Sequence, residues 1–352
     1  MIHIHKKTLQ DLEFSTILQQ VSELCVTALG HEATLQISPL RDKETAVKSL
    51  QLTNEYLASL LNENRIPNHG FETITKELKL LKIENTYLET HSLKKIVSIS
   101  ITANDIILFL KKFQEYYNNL YDYASDIEVT KVLIEEIDSI VDRFGDVKDH
   151  ATPLLEELRQ GINKIKGKIN QSFSSALHTY HQLEYLDDIR ETVVDNRRVL
   201  AVKAMYRRKV KGAIMGGSKT GSIVYIEPET TLQYTRELNN LEYEENEEVI
   251  RILKTLTNFI RPFLPLLKQY QAFLTEMDVI SAKAKYAKSM DAILPEINDN
   301  RELYLRDALH PLLYLSNKKK NEKTYPQSIK LTQENRIIVI SGPNAGGKSI
   351  TL

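Results

Sequence analysis

The sequence predicts a mainly α fold: a helical core carrying a long antiparallel helical arm with a small β tip, followed by the first part of an α/β domain. Three observations lead there. Glycine (12) and proline (10) are scarce among 352 residues, while Leu, Ile, Glu and Lys are abundant, a balance that favours long helices over a sandwich or barrel. Two narrow apolar seams at helical spacing bracket a stretch rich in β-branched residues and glycine. Near the end, a continuously apolar run turns into a glycine-rich loop.

Residues 1–150 read as the first part of the core. Leu12, Ile17, Val21, Leu24 and Leu29 keep near a 3.6-residue period, and Gly30 follows as the expected C-cap. Further helices are expected over 44–62, 71–82, 88–121 and 129–142. The outgoing arm helix falls within 151–190. Its seam runs through Leu155, Leu158, Ile162, Ile165, Ile169 and Phe173, then Ala176 and Leu177. Within 191–229, the runs 192–194, 198–202 and 222–226 read as strands between Gly212, Gly216, Gly217 and Gly221. The returning helix, 230–261, has its seam at Leu238, Leu241, Glu245, Val249, Ile252, Leu256 and Phe259, with Glu245 a polar interruption. Pro262 and Pro265 are expected to close it. Residues 262–295 return to the core through a helix over 273–290. From 296 to 352 the pattern becomes α/β, with short strands at 303–305 and 329–331 and a strand buried on both faces at 337–340.

Composition narrows the function. A net charge of −1 means that attraction to a polyanion must come from a local patch. The single cysteine, Cys25, rules out an internal disulfide framework, fits a reducing cytoplasm and reads as a small core residue. No window approaches the ~18 apolar residues of a membrane span, so no membrane partner is expected. His3 with His5, and His178 with His181, lack further ligands at suitable spacing and are not read as metal sites.

The loop Gly342-Pro343-Asn344-Ala345-Gly346-Gly347-Lys348-Ser349 fits G-x-x-x-x-G-K-[ST]. Gly346 and Gly347 let the backbone approach a phosphate chain, and main-chain amides with a helix N-terminus supply donors. Lys348 is placed for the terminal phosphates of ATP and Ser349 for Mg²⁺. An apolar strand before the loop and helix formers after it are the context that the motif requires. The chain stops one helical turn later. It is therefore expected to be the amino-terminal piece of a longer ATPase, with no catalytic residue for hydrolysis within it and negligible turnover alone.

SGPNAGGKSITL resembles the nucleotide loop of the MutS mismatch-repair ATPases. The segments TALGHE at 27–32, SPLRD at 38–42, RRVLAVKAMYRRKVKG at 197–212, IEPETTLQYTRELNNLEYEENEEVIRIL at 226–253, MDVISAKAKYA at 277–287 and DALHPLL at 307–313 are similar to the MutS-two branch, in order. That resemblance implies lever helices, a clamp at their far end, an ABC-type ATPase domain that forms a homodimer around nucleotide, and commonly a carboxy-terminal Smr nuclease domain. It implies no amino-terminal mismatch-reading domain. It also suggests Tyr325 as an aromatic against adenine, while His310-Pro311 reads as shaping a turn. The stretch Met215 to Gly221 departs from the family pattern.

The clamp is basic. Arg197, Arg198, Lys203, Arg207, Arg208, Lys209, Lys211 and Lys219 occur with no acid between Asn196 and Ile226, a pattern suited to sequence-independent contact with a nucleic-acid backbone. In contrast, Glu237, Glu242, Glu244, Glu245, Glu247 and Glu248 read as a solvated helix face. The reading that follows is an ATP-driven clamp on branched or recombining DNA. One alternative is an ATPase that splits stalled ribosomes, gripping ribosomal RNA. Another, of a structural class, is a coiled-coil ATPase of the SMC type, which would place its nucleotide loop near the amino terminus.

Overall fold

The computed structural model describes residues 4–40 and 42–341. Its helices are α1 (Lys6–Asp11), α2 (Phe14–Ser22), α3 (Ala28–Leu35), α4 (Lys43–Leu61), α5 (Thr75–Leu80), α6 (Thr90–Lys112), α7 (Asn118–Ala124), α8 (Val132–Ile140), α9 (Pro153–Gln182), α10 (Glu229–Ile260), α11 (Leu264–Ser289) and α12 (Pro311–Lys320). The strands are β1 (Leu186–Val194), β2 (Arg197–Lys203), β3 (Gly212–Gly217), β4 (Ile223–Pro228), β5 (Leu303–Ala308) and β6 (Gln327–Leu331). The described residues form two compact units: those up to 79, 94–134 and those from 262 onward in one, and 80–93 with 135–261 in the other.

The first unit is organised by α11, which buries Leu267, Tyr270, Phe273, Leu274, Met277 and Ile280. At its centre sits Asp278, with no exposed surface. Its carboxylate accepts hydrogen bonds from the Val26 amide (3.0 Å), the Thr27 amide (2.8 Å) and the Thr27 hydroxyl (2.6 Å). His69 Nε2 lies 3.0 Å from its other oxygen. The opposite ring nitrogen of His69 meets the Tyr56 hydroxyl at 3.2 Å. Burial alone would raise the Asp278 pKa. The bonds from His69, Thr27 and Val26 outweigh it and hold the carboxyl below its ordinary value.

This arrangement corrects the expected first helix. Helix α2 stops at Ser22, and Thr27 caps a new helix, α3, its hydroxyl accepting from the Gly30 amide at 2.9 Å. Gly30 is thus not a C-cap. It lies inside α3, where a Cβ would fall 2.2 Å from Asp278 Oδ2. The long helix expected over 88–121 also breaks after Lys112. There the Glu55 carboxylate accepts from the Asn119 (3.0 Å) and Leu120 (2.9 Å) amides and so starts α7 separately. The expected helix at 71–82 shrinks to Thr75–Leu80, with Gln271 Oε1 accepting the Ile74 amide just before it. Pro265 opens α11 rather than closing the helix before it. Cys25 is half-buried, 3.3 Å from the Thr34 hydroxyl, and burial pushes its thiol pKa up.

The last described residues contain a two-stranded antiparallel sheet, with Leu303 opposite Leu331 and Leu305 opposite Ile329. His310 caps α12, the turn-shaping role read from the sequence. The run 337–340 is not a strand here, and Ile337 and Val339 are each 85% exposed. A strand buried on both faces needs paired neighbours and covering helices. Among the described residues of 296–341, only β5, α12 and β6 are formed.

In the second unit, α9 and α10 are antiparallel along their length. Thr152 meets Glu248, Arg159 meets Glu245, Gly161 faces Leu241, and Lys168 lies over the Tyr234 ring. Helix α9 starts where it does because Thr152 caps it and Pro153 fits its first turn. Leu155, Leu158, Ile162, Ile165 and Phe173 on α9 are buried, as are Ile252, Leu256 and Ile260 on α10. Each such side chain contributes about 1.5–3 kcal/mol relative to exposure. Two readings of α10 change. Its seam ends on Ile260, not Phe259, which is 37% exposed. Glu248 is no solvated carboxylate: 4% exposed, it accepts from Thr152 and Arg251, each at 2.7 Å. Those bonds, with the Arg251 contact foremost, lower its pKa.

No helix among the described residues is long and apolar enough to cross a membrane.

Two outcomes follow from the Asp278 site. Replacing Gly30 by Ala forces the carboxylate aside and is expected to destabilise the fold by about 1–3 kcal/mol, read as a lower urea midpoint at constant slope. A carboxylate held below its unfolded pKa contributes stability above that unfolded value and loses it as pH falls through the folded one. The stability difference between the native chain and Asp278→Asn should therefore shrink as pH is lowered from 6 through about 4 and below. A pH-independent difference would contradict the assignment.

A candidate nucleic-acid interface on the β clamp

The clamp is a four-stranded antiparallel sheet of order β1-β2-β4-β3. Leu200 pairs with Ile226 and Val202 with Val224, so these residues share one face. That face packs with Phe173 of α9, Leu186 and Val210 in a buried cluster. Glu227 lies on β4 next to Ile226 and so on the opposite face. It accepts from the Thr235 hydroxyl of α10 at 2.6 Å. Each arm helix thus grips the sheet, α9 by apolar packing and α10 by a buried hydrogen bond. Gly212 makes the close approach of β3 possible, since a Cβ there would fall 2.0 Å from the Glu227 carbonyl oxygen.

The eight cations read from the sequence fall into two groups. Arg197 and Arg198, on β2, are committed to the fold. Arg197 lies 3.1 Å from Glu227, whose side chain is 2% exposed. Arg198 donates to Glu191 at 2.7 Å and to Asn170 at 3.2 Å, and its guanidinium sits 4.4 Å from the Phe173 ring centroid. Lys203 is half-buried and reaches the Glu184 carbonyl at 3.4 Å.

The second group is exposed: Arg207, Arg208, Lys209, Lys211 and Lys219. Among the described residues, none of the five forms an ion pair. Four of them sit in the connection from β2 to β3, and Lys219 in the β3–β4 hairpin. A bond from the Ala204 amide to the Ser222 carbonyl, 2.9 Å, ties these two loops together. The loop 204–209 is ordered by its own contacts. Tyr206 stacks on Tyr185 with centroids 4.6 Å apart, and Lys209 Nζ lies 5.6 Å from each ring.

A feature that the basic window concealed is the charge of the β1 edge. Strand β1 carries Asp187, Asp188 and Glu191 with Arg190 among them, Glu191 is paired with Arg198, and Asp195 follows the strand. The basic loop lies beside the start of this strand, because Tyr206 and Lys209 contact Tyr185, the residue immediately before β1. Reading acids on both sides of the 197–226 window would have found this.

Tyr325 is 71% exposed, with Lys323 Nζ 5.1 Å from its ring centroid. His3 and the phosphate-loop residues Gly342 to Ser349, with the Mg²⁺ ligand read at Ser349, lie outside the described residues. Among the described residues, no group of three His, Cys, Asp or Glu side chains is placed to hold a metal.

No protein-family model matches the chain. Among curated proteins it is 32% identical over 351 residues to the Endonuclease MutS2 of Lacticaseibacillus casei (strain BL23). It is 28% identical over 352 residues to that of Geobacillus sp. (strain WCH70), and 26% identical over 351 residues to that of Alkaliphilus oremlandii (strain OhILAs). Each comparison covers 99% of this chain and 44% of the relative, so the chain spans less than half the length of the proteins it matches. Their similarity supports the MutS2 family.

The two groups of cations should respond differently to substitution. Arg197→Ala leaves Glu227 buried with one fewer donor and is expected to cost about 1–3 kcal/mol. Hydrogen exchange should then accelerate at the β2–β4 amides. Arg207→Ala, on the exposed loop, should change stability by less than about 0.5 kcal/mol. Equal effects would show that the division is wrong.

Proposed function

We propose that this chain is the core, lever and clamp portion of a MutS2-type ATPase, and that the exposed basic loops of its clamp hold a nucleic-acid backbone. The observation that carries the reading is the pair of ordered loops bearing Arg207, Arg208, Lys209, Lys211 and Lys219, none ion-paired among the described residues. Such cations release counterions when they meet phosphates, and they do so without reading sequence. The arm supports the same reading. Two helices of 30 and 32 residues place the sheet at the end of a rod about 45 Å long, at 1.5 Å rise per residue.

In this reading the whole protein is a homodimer whose arms embrace branched or recombining DNA. Gly342 to Ser349 hold the triphosphate, with Lys348 on its terminal phosphates and Ser349 on Mg²⁺, and nucleotide turnover supplies the free energy for moving the arms. The sequence motif supports that part. The endonuclease activity in the relatives' printed name is proposed only for the whole protein, outside this chain. No observation on the clamp favours the ribosome-splitting or the SMC-type reading over this one.

The test is salt-dependent binding of a 20-base-pair duplex by fluorescence anisotropy. Each phosphate contact adds about 0.9 to the slope of log K against log salt. The triple change Arg207→Ala, Arg208→Ala, Lys209→Ala should lower that slope by about 2–3 and weaken binding. An unchanged slope would remove the clamp from the interface.

A further inference from the structure

The loop that carries the exposed cations also carries an exposed apolar side chain, next in sequence to an aromatic stack. Met205 is 76% exposed. It occupies the middle of the 3-10 turn Ala204–Tyr206, immediately before Arg207, Arg208 and Lys209. The turn is fixed on both sides of it. The Arg207 amide donates to the Ala204 carbonyl at 3.3 Å and the Lys209 amide to the Tyr206 carbonyl at 2.8 Å. Tyr206 is packed against Tyr185 and the clamp's buried cluster. The residue before Met205 is tied to Ser222, and the one after it is locked in an aromatic stack. The methionine is thus held in water by a rigid turn, although its own side chain gains nothing from that position.

Resting on the nucleic-acid reading above, we infer that Met205 is a specificity-determining contact: an apolar tip, flanked by phosphate-binding cations, that takes the face of an unstacked or unpaired base. Charge complementarity selects the occupant, because the five cations around the turn form no ion pair among the described residues and favour a polyanion over an apolar protein face. Among polyanions, a nucleic acid offers flat apolar base faces alongside its phosphates. In a uniform duplex those faces are stacked, and inserting a methionine between them costs a few kcal/mol. At a bulge, gap or junction the faces are already open, and a soft, unbranched thioether adapts to any base without reading its edge. A preformed turn also spends little ordering entropy on binding. The clamp should therefore prefer nucleic acid with open bases, whatever their sequence.

The experiment uses the whole 352-residue chain and three probes of equal length and label: a paired duplex, the same duplex with a central two-nucleotide bulge, and a single strand. DNA and RNA versions distinguish the two sources of open bases. The native chain is expected to bind the bulged probe about 5–10-fold more tightly than the paired one at equal salt. Met205→Ala should reduce that ratio to within about twofold of one, with paired-duplex affinity and salt slope unchanged, whereas Met205→Leu should retain most of it. Because the side chain is exposed, the melting temperature should not move, which excludes misfolding as the cause. A native ratio near one, or a preference that survives Met205→Ala, overturns the inference while leaving the cation-based reading intact. Loss of salt-dependent binding to every probe would instead remove the reading on which it rests.

Discussion

A buried carboxylate sets the terms for the first unit. Asp278 has no access to water, and a charge in that position is tolerable only if its lone pairs are filled by donors of good geometry. Those donors come from the turn at 26–27 and from His69. Residues more than two hundred positions apart are thereby required to meet at one point of α11. The unit is closed only when the chain returns at 262, so residues 135–261 form an excursion that must leave and come back. An antiparallel pair of helices is the simplest route for such an excursion. The absence of a side chain at Gly30 is part of the same constraint, because the carboxylate occupies the space a Cβ would fill.

The clamp repeats this logic on a smaller scale. Glu227 is buried at the root of the sheet and is satisfied by Arg197 and Thr235. An arginine used to neutralise a buried acid adds no net charge to the surface around it, and its side chain is not free to follow a phosphate. Arg198 is in the same position with Glu191, and its planar group also covers Phe173. Counting basic residues along the sequence therefore overstates the binding charge. What remains is smaller: exposed cations on loops, one of which is braced by the stack of Tyr206 on Tyr185. The stack fixes the backbone that carries them, and Lys209 itself lies 5.6 Å from both tyrosine rings.

Much of this was legible in the residues. The seam of α9 follows from spacing, as does that of α10 as far as Leu256, and the outgoing helix, read within 151–190, spans Pro153–Gln182. Strands β2 and β4 follow from β-branched runs, but only 192–194 of β1 was read, and β3, Gly212–Gly217, lies on the glycines read as boundaries between strands. Local signals failed wherever a distant side chain decides the outcome. Gly30 looked like a helix end because nothing nearby announces Asp278. Residues 88–121 looked continuous because the carboxylate that starts α7 belongs to Glu55. Glu248 looked solvated because one of its two partners, Thr152, is nearly a hundred positions earlier, although the other, Arg251, is three residues on. The cationic window was read correctly as basic, but the acids that claim two of its arginines lie just outside it, at Glu191 and Glu227.

The packing of the arm is uneven, and that bears on how a clamp could be worked from its far end. Near its root, Leu155, Leu158, Ile162 and Ile165 meet α10 residues that are also buried, and at the tip Phe173 joins the sheet's cluster. Between them lies a stretch with no fully buried side chain: residues 166–172 on α9 and 236–247 on α10. Gly167 sits there with nothing near the position of its missing Cβ, and a solvent-facing glycine inside a helix costs about 1 kcal/mol relative to alanine. What joins the helices there is mostly half-buried contact and charge, such as Lys166 with Glu242 at 3.4 Å, and exposed pairs of this kind contribute little. Local opening costs least where buried contacts are fewest. Opening the arm in its middle breaks fewer buried contacts than opening it at either end.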